Sequence, residues 1–185
     1  MGDESRSVPT LFDWMGGMDV LNRLTRTFYA RVPADPLLAP VFRDMPADHP
    51  EHVAQFIAEV FGGPASYSRD VAHAQSGHAR MVSHHVGRQL TQEQRTRWIA
   101  ALLECADEVG VPDDPEFRSA FVAYLEWGTR LAVINSNTPD LVPPSSPMPK
   151  WGWGVPGGPY QPAMHVDSTV GDGSSQQTVE TSSSP

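Results

Sequence analysis

Cysteine is nearly missing from this chain. Cys105 is the only one in 185 residues, which excludes an internal disulfide and any cysteine-rich zinc site. It falls in an apolar helical pattern and reads as a small core residue, not a nucleophile. Positive charge is scarce too: 13 Lys and Arg stand against 22 Asp and Glu, a net charge of −9. That balance disfavours nucleic acid or an anionic membrane surface as partner. No apolar run approaches ~20 residues, so no membrane span is expected. Met1 to Ser7 is short and polar, without the apolar centre of a secretory signal. A cytoplasmic protein is the expectation. No alternating run makes a convincing strand. An all-α domain of about 130–150 residues with tails remains.

The helices announce themselves by caps and breaks. Thr10 with Asp13 has the form of a capping box for a stubby first helix carrying Leu11, Trp14 and Met15, ended by Gly16-Gly17. Leu21, Leu24 and Phe28, with Tyr29 beside them, mark a second helix stopped at Pro33. Asp35-Pro36 opens a short turn through Phe42. Asp48 to Glu51 has the form of another capping box, and behind it Val53, Phe56, Ile57, Val60 and Phe61 keep a helical stripe that His49 begins. Gly62-Gly63-Pro64 ends that helix, and a long loop, Ala65 to Ser76, follows. Thr91 with Gln94 caps a helix bearing Trp98, Leu102, Cys105 and Val109. Asp114-Pro115 opens the last helix, with Phe117, Phe121, Tyr124, Leu125, Gly128 and Leu131 facing inward.

Four regions are expected: a flexible N-terminus (1–9), the helical domain (10–136), a Pro/Gly/Trp-rich extension (137–162) and a disordered tail (163–185). In an extended chain Trp151, Trp153 and Val155 share one side. Two indoles left in water would be costly, so Lys150 to about Pro162 is expected to dock on the helices or on a partner subunit. Ala163 to Pro185 is too polar to hold itself down.

The chemistry-bearing stretch is Gly77-His78-Ala79-Arg80-Met81-Val82-Ser83-His84-His85. A helix through it puts His78, Met81, Val82 and His85 on one face, with His84 elsewhere. A neutral imidazole on such a face ligates a metal or haem iron, or else is a buried, hydrogen-bonded histidine or simply a polar one on a helix edge, both bland readings. These residues alone leave the choice open.

The order of parts resembles the truncated haemoglobins of group II. The resemblance is carried by the Gly-Gly after a stubby helix, Phe28-Tyr29-Ala30, Val41-Phe42, Phe61-Gly62-Gly63-Pro64, Gly77-His78-Ala79-Arg80, His85 and Trp98. A tryptophan thirteen residues after the iron-binding histidine is the group II mark, and His85 to Trp98 matches it. The likeness covers about Leu11 to Asn135. It implies a two-over-two globin fold around one haem b, with His85 as the proximal iron ligand. It puts Tyr29 at the distal tyrosine position, Phe42 against the haem, Trp98 at the distal indole and His49 at a distal position where many members carry alanine. The implied haem-contacting set is Phe42, His52, Val53, Phe56, Ile57, His78, Arg80, Met81, His85, Leu90 and Trp98. The chain departs from the pattern after His85, where Val86-Gly87-Arg88 replaces Ala-Pro-Phe, and in a longer loop before Gly77.

Such a haem takes O₂, NO or CO. Tyr29, Trp98 and His49 are the donors available to a gas that carries partial negative charge, each worth roughly 1–3 kcal/mol. Val53, Phe56, Ile57 and Leu102 would keep the pocket dry. Arg80 would either pair a propionate or stay solvated. NO or peroxide turnover, an electron-donating reductase and a homodimer accord with this resemblance. A haem peroxidase-like enzyme is the alternative. A haem-free protein holding a transition metal through His73, His78 and His84 or His85 is a second alternative, and a partner-binding module built on the Trp/Pro tail a third.

Overall fold

The computed structural model describes residues 8–69, 77–139, 141 and 147–154. Among them lie six α-helices and no strand: α1 (Leu11–Trp14), α2 (Gly17–Arg31), α3 (His49–Val60), α4 (Gly77–Ser83), α5 (Gln92–Glu108) and α6 (Pro115–Asn137). A 3-10 turn, Val32–Ala34, follows α2. None of the described helices is long and apolar enough to cross a membrane.

The caps act where local sequence alone can form them. Thr10 and Asp13 close a reciprocal capping box on α1, as Thr91 and Gln94 do on α5. The Asp114 carboxylate accepts the Phe117 N–H at 2.9 Å and, on its other oxygen, the Trp14 indole N–H at 2.8 Å. The box expected at Asp48 does not form. Asp48 is already turned, at φ −90° and ψ 2°, and its side chain caps nothing. Pro50 has no N–H to offer at the second helical position, and the Glu51 carboxylate is drawn to Arg26 at 2.8 Å.

Helix α2 packs on α3, α5 packs on α6, and α2 crosses α5. Between the pairs lie Phe28, Phe61, Phe117 and Phe121, all fully buried. Phe61 meets Phe121 and Tyr124 edge-on at 6.0 and 5.1 Å. Each buried ring contributes roughly 1.5–3 kcal/mol. Gly62 takes φ 91°, and a side-chain carbon at Gly63 would stand 2.7 Å from the Phe12 ring, so the pair turns the chain tightly beneath α1.

Residues 147–154 run over this body. The Trp151 backbone N–H donates to the Val60 carbonyl at 2.8 Å, and its indole N–H donates to the Ala120 carbonyl at 3.0 Å. The Trp153 indole N–H donates to the Pro9 carbonyl at 2.7 Å. Its ring meets Trp14 and Phe117 edge-on. Val155 and the rest of the expected docking segment lie outside the described residues, as do Met1 to Ser7 and Ala163 to Pro185.

Helix α4 is shorter than its histidine pattern suggests. It ends at Ser83, and His84 to Gly87 form a turn in which the His85 N–H reaches back only three residues, to the Val82 carbonyl at 2.9 Å. Gly87 at φ 74° lets the chain leave.

Candidate haem site

A cavity of about 720 Å³ opens between α2, α3, α4, α5 and the second half of α6. Its size lies within the range for sites that enclose a small molecule or cofactor. Tyr29, Phe42, His49, His52, Val53, Phe56, Ile57, His78, Arg80, Met81, His85, Leu90 and Trp98 all line it. The structure thus brings every singled-out site residue to one place. Leu102 is the exception among the expected wall residues: it is buried in the helical core and does not line the cavity.

One corner is aromatic. Tyr29 is buried on α2, and its hydroxyl lies 3.1 Å from His49 Nε2 on α3. The tautomer of His49 decides which of the two donates. Phe28 stacks edge-on against Tyr29 at 4.8 Å and against Trp98 at 5.3 Å. Phe42 closes on Tyr29 at 5.4 Å. Burial pushes the Tyr29 phenol well above its ordinary range, against a smaller pull from the Trp98 side chain at the hydroxyl. Burial, with the nearby His84, His52, Arg88 and His85, pushes His49 down to about 4. The pair is therefore uncharged at neutral pH.

On α4 and its following turn, His85 Nδ1 lies 2.8 Å from the Met81 carbonyl. That carbonyl can only accept, so Nδ1 carries the proton and Nε2 keeps its lone pair. This is how a metal-binding histidine is held in one tautomer. Burial lowers the His85 pKa, against the Met81 bond. His84 is exposed, with its backbone carbonyl taken by Arg88 at 2.6 Å. The buried Nδ1 of His78 has no hydrogen-bond partner at the cavity wall. A buried polar atom left so is costly unless a bound group meets it. His52 sits exposed at the rim, 3.8 Å from Asp48.

Arg80 is not the solvated side chain that one expectation made it. It is buried, its guanidinium lies 4.0 Å from the Tyr67 ring centre, and it donates to the Tyr67 carbonyl at 3.0 Å. Tyr67 is a wall residue that sequence reasoning missed. It is an aromatic in an otherwise small and polar loop, which was the signal available. Also missed were Arg95, paired with Glu126 at 2.9 Å, and Trp127 and Thr129 on α6. Among the described residues no cluster of three His, Cys, Asp or Glu could hold a metal ion, and His73 lies outside them.

The donor set fits haem. In His85 it has an imidazole whose tautomer is fixed with Nε2 free, and it adds an apolar wall and an unmatched buried polar atom at its edge. The comparisons agree. Residues 10–127 match the model of the bacterial-like globins, and the chain belongs to that family. It is 28% identical over 124 residues to the group 2 truncated hemoglobin YjbI of Bacillus subtilis, covering 67% of this chain and 89% of that one. The group II truncated hemoglobin of Bacillus anthracis shares the fold at TM-score 0.61 and 24% identity, over 73% of this chain and 98% of that one. The truncated oxygen-avid haemoglobin of Bacillus subtilis does so at TM-score 0.58 and 27% identity, over 68% and 99%. The two-over-two globin fold and its group II likeness follow, and with the family comes haem binding.

Proposed function

We propose that this globin holds haem b through His85 Nε2 and binds O₂, NO or CO in the corner formed by Tyr29, His49 and Trp98. The observation that carries it is the Tyr29–His49 contact at 3.1 Å, inside the cavity that His85 also lines. Haem, held by His85, would supply an iron able to take up a small gas.

The chain's own residues do the rest. Met81 fixes the His85 tautomer so that Nε2 is the ligating atom. Phe42, Val53, Phe56, Ile57, Met81 and Leu90 supply an apolar wall that keeps water out. His78 Nδ1 is the group offered to a propionate. Tyr29 O–H and Trp98 Nε1–H hold a gas that carries partial negative charge. With Nε2 protonated, His49 donates to the Tyr29 oxygen and leaves the phenol hydrogen free for the gas. Low polarity around them strengthens these bonds. Two or three such donors imply slow O₂ release, which suits NO or peroxide chemistry better than bulk oxygen transport. The similarity to an oxygen-avid haemoglobin supports the same reading.

The neutral His49 beside a phenol also favours a second reading, a peroxidase-like activity. A histidine with pKa about 4 keeps a lone pair at neutral pH and can accept a proton there. Either activity would call on a cytoplasmic electron-donating reductase. Absorption spectra of the oxidised, reduced and CO-treated protein test haem binding. A Soret band at roughly 400–420 nm is expected, and its absence ends the proposal. Peroxide turnover by the haem-loaded protein separates the two readings.

A further inference from the structure

Helix α4 is seven residues long, too short to hold its own place. Whatever grips it decides where His85 stands. Two segments leave no room for a side chain at its first residue. A side-chain carbon at Gly77 would lie 3.0 Å from the Ser68 Cα and 3.1 Å from the Met148 sulfur. One grip is therefore the Tyr67–Ser68 turn, which holds α4 again through Arg80. The other comes from the Pro/Gly/Trp-rich extension.

That second grip is firmly anchored. Three residues past Met148, Trp151 is tied by two hydrogen bonds, to the last residue of α3 and to Ala120 near the start of α6. Its ring lies against Trp127 at 5.6 Å and Tyr124 at 5.8 Å, both of which line the haem cavity. Three residues span at most ~10 Å, so Met148 is on a short tether. Pro149, between them, itself lines the cavity. Trp153, two residues on, touches Trp14, Phe117 and the Pro9 carbonyl, none of which lines it.

We propose that residues 148–151 are a positioning strap for His85: Met148, tethered by Trp151, clamps Gly77 and so sets where α4 and its histidine stand against the cavity. The strap governs how firmly haem is held and how the histidine meets the iron. This rests on the assignment of His85 as the iron ligand.

The test uses the full, haem-loaded chain. Three readings are taken: haem transfer to an acceptor globin, the iron–histidine stretching band of the reduced protein, and the melting temperature. Met148→Ala is expected to speed haem loss by roughly three- to tenfold and to shift the stretching band. Met148→Leu, which refills the contact, restores both. Gly77→Ala forces the same contact from the other side and shifts the band as well. Trp153→Phe lowers the melting temperature and leaves both haem readings unchanged. An unshifted band with unchanged haem loss in Met148→Ala and Gly77→Ala overturns the strap. So does a Trp153→Phe variant that moves the haem readings as far as Met148→Ala. A Soret band that survives His85→Ala instead overturns the His85 assignment, and the strap's role falls with it.

Discussion

Tyr29, His49 and Trp98 stand on helices of 15, 12 and 17 residues, whose other faces are sunk in the core. His85 stands in the turn after a helix of seven. In the first region each side chain is placed by the rigid element that carries it, and Phe28 packs between two of them. In the second, a carbonyl of α4 fixes the ring, and α4 is itself held by contacts to other segments, Arg80 over Tyr67 and a sulfur from the C-terminal extension. Two ways of fixing a side chain respond differently to mutation. A residue on a long helix is disturbed by changing its neighbours. A residue on a short one is disturbed by changing segments distant in sequence.

The largest effect expected is on haem itself. His85→Ala should abolish most haem affinity in a Soret titration, while His84→Ala, on an exposed side chain, should retain it. Loss of haem with His84→Ala alone would transfer the ligand role and break the comparison at its base.

Next comes the extension. Trp151→Ala removes a half-buried indole and two ring contacts, and should cost about 2–4 kcal/mol in denaturant unfolding. Trp151→Phe isolates the indole N–H, at about 0.5–1.5 kcal/mol. If Trp151→Ala costs no more than an exposed surface change, the extension does not brace the domain.

The aromatic corner should respond in kinetics. Tyr29→Phe and Trp98→Phe each remove a donor worth about 1.5–3 kcal/mol, so O₂ release should quicken by roughly one to two decades. Stopped-flow off-rates unchanged in both variants would remove the donor role from this corner.

His49 gives the corner a pH signature. Its pKa falls from 6.5 in a free chain to about 4 in the fold, so the unfolded state binds the proton more readily. Stability from this group is complete above pH 6.5 and is lost as pH falls towards 4. His49 is partly exposed, so the discounted size is roughly 1–2 kcal/mol. Tyr29 faces it from α2, His52 from its own helix, and His84, His85 and Arg88 from beyond α4. Acid unfolding of His49→Gln should lack this component, and an unchanged acid profile would contradict the burial that causes it.

The smallest effect belongs to a local device. Thr10→Ala breaks the α1 capping box and should cost about 0.5–2 kcal/mol without altering the haem spectrum. A spectral change would mean that α1 is coupled to the cavity after all.

Much of this was legible in sequence because it is local. The boxes at Thr10 and Thr91 need only residues three apart, and both form. The box at Asp48 needs the same spacing, yet a turned backbone and a distant arginine override it. The stripe from His49 to Phe61 turns one face of a helix inward whatever lies opposite. The residues that the family likeness singled out all line one cavity.

By itself the sequence determined most of the helices, where they start and which residue types could meet haem chemistry, since periodicity, caps and glycines act within a few residues. Tertiary structure alone decided that Arg80 lies over Tyr67, thirteen residues away, and that Trp151 reaches the carbonyls of Val60 and Ala120. It also ended α4 at Ser83, so that His85 stands in a turn with its Nδ1 on the Met81 carbonyl. Those outcomes depend on which groups compete for a partner in space, and no spacing along the chain encodes that competition.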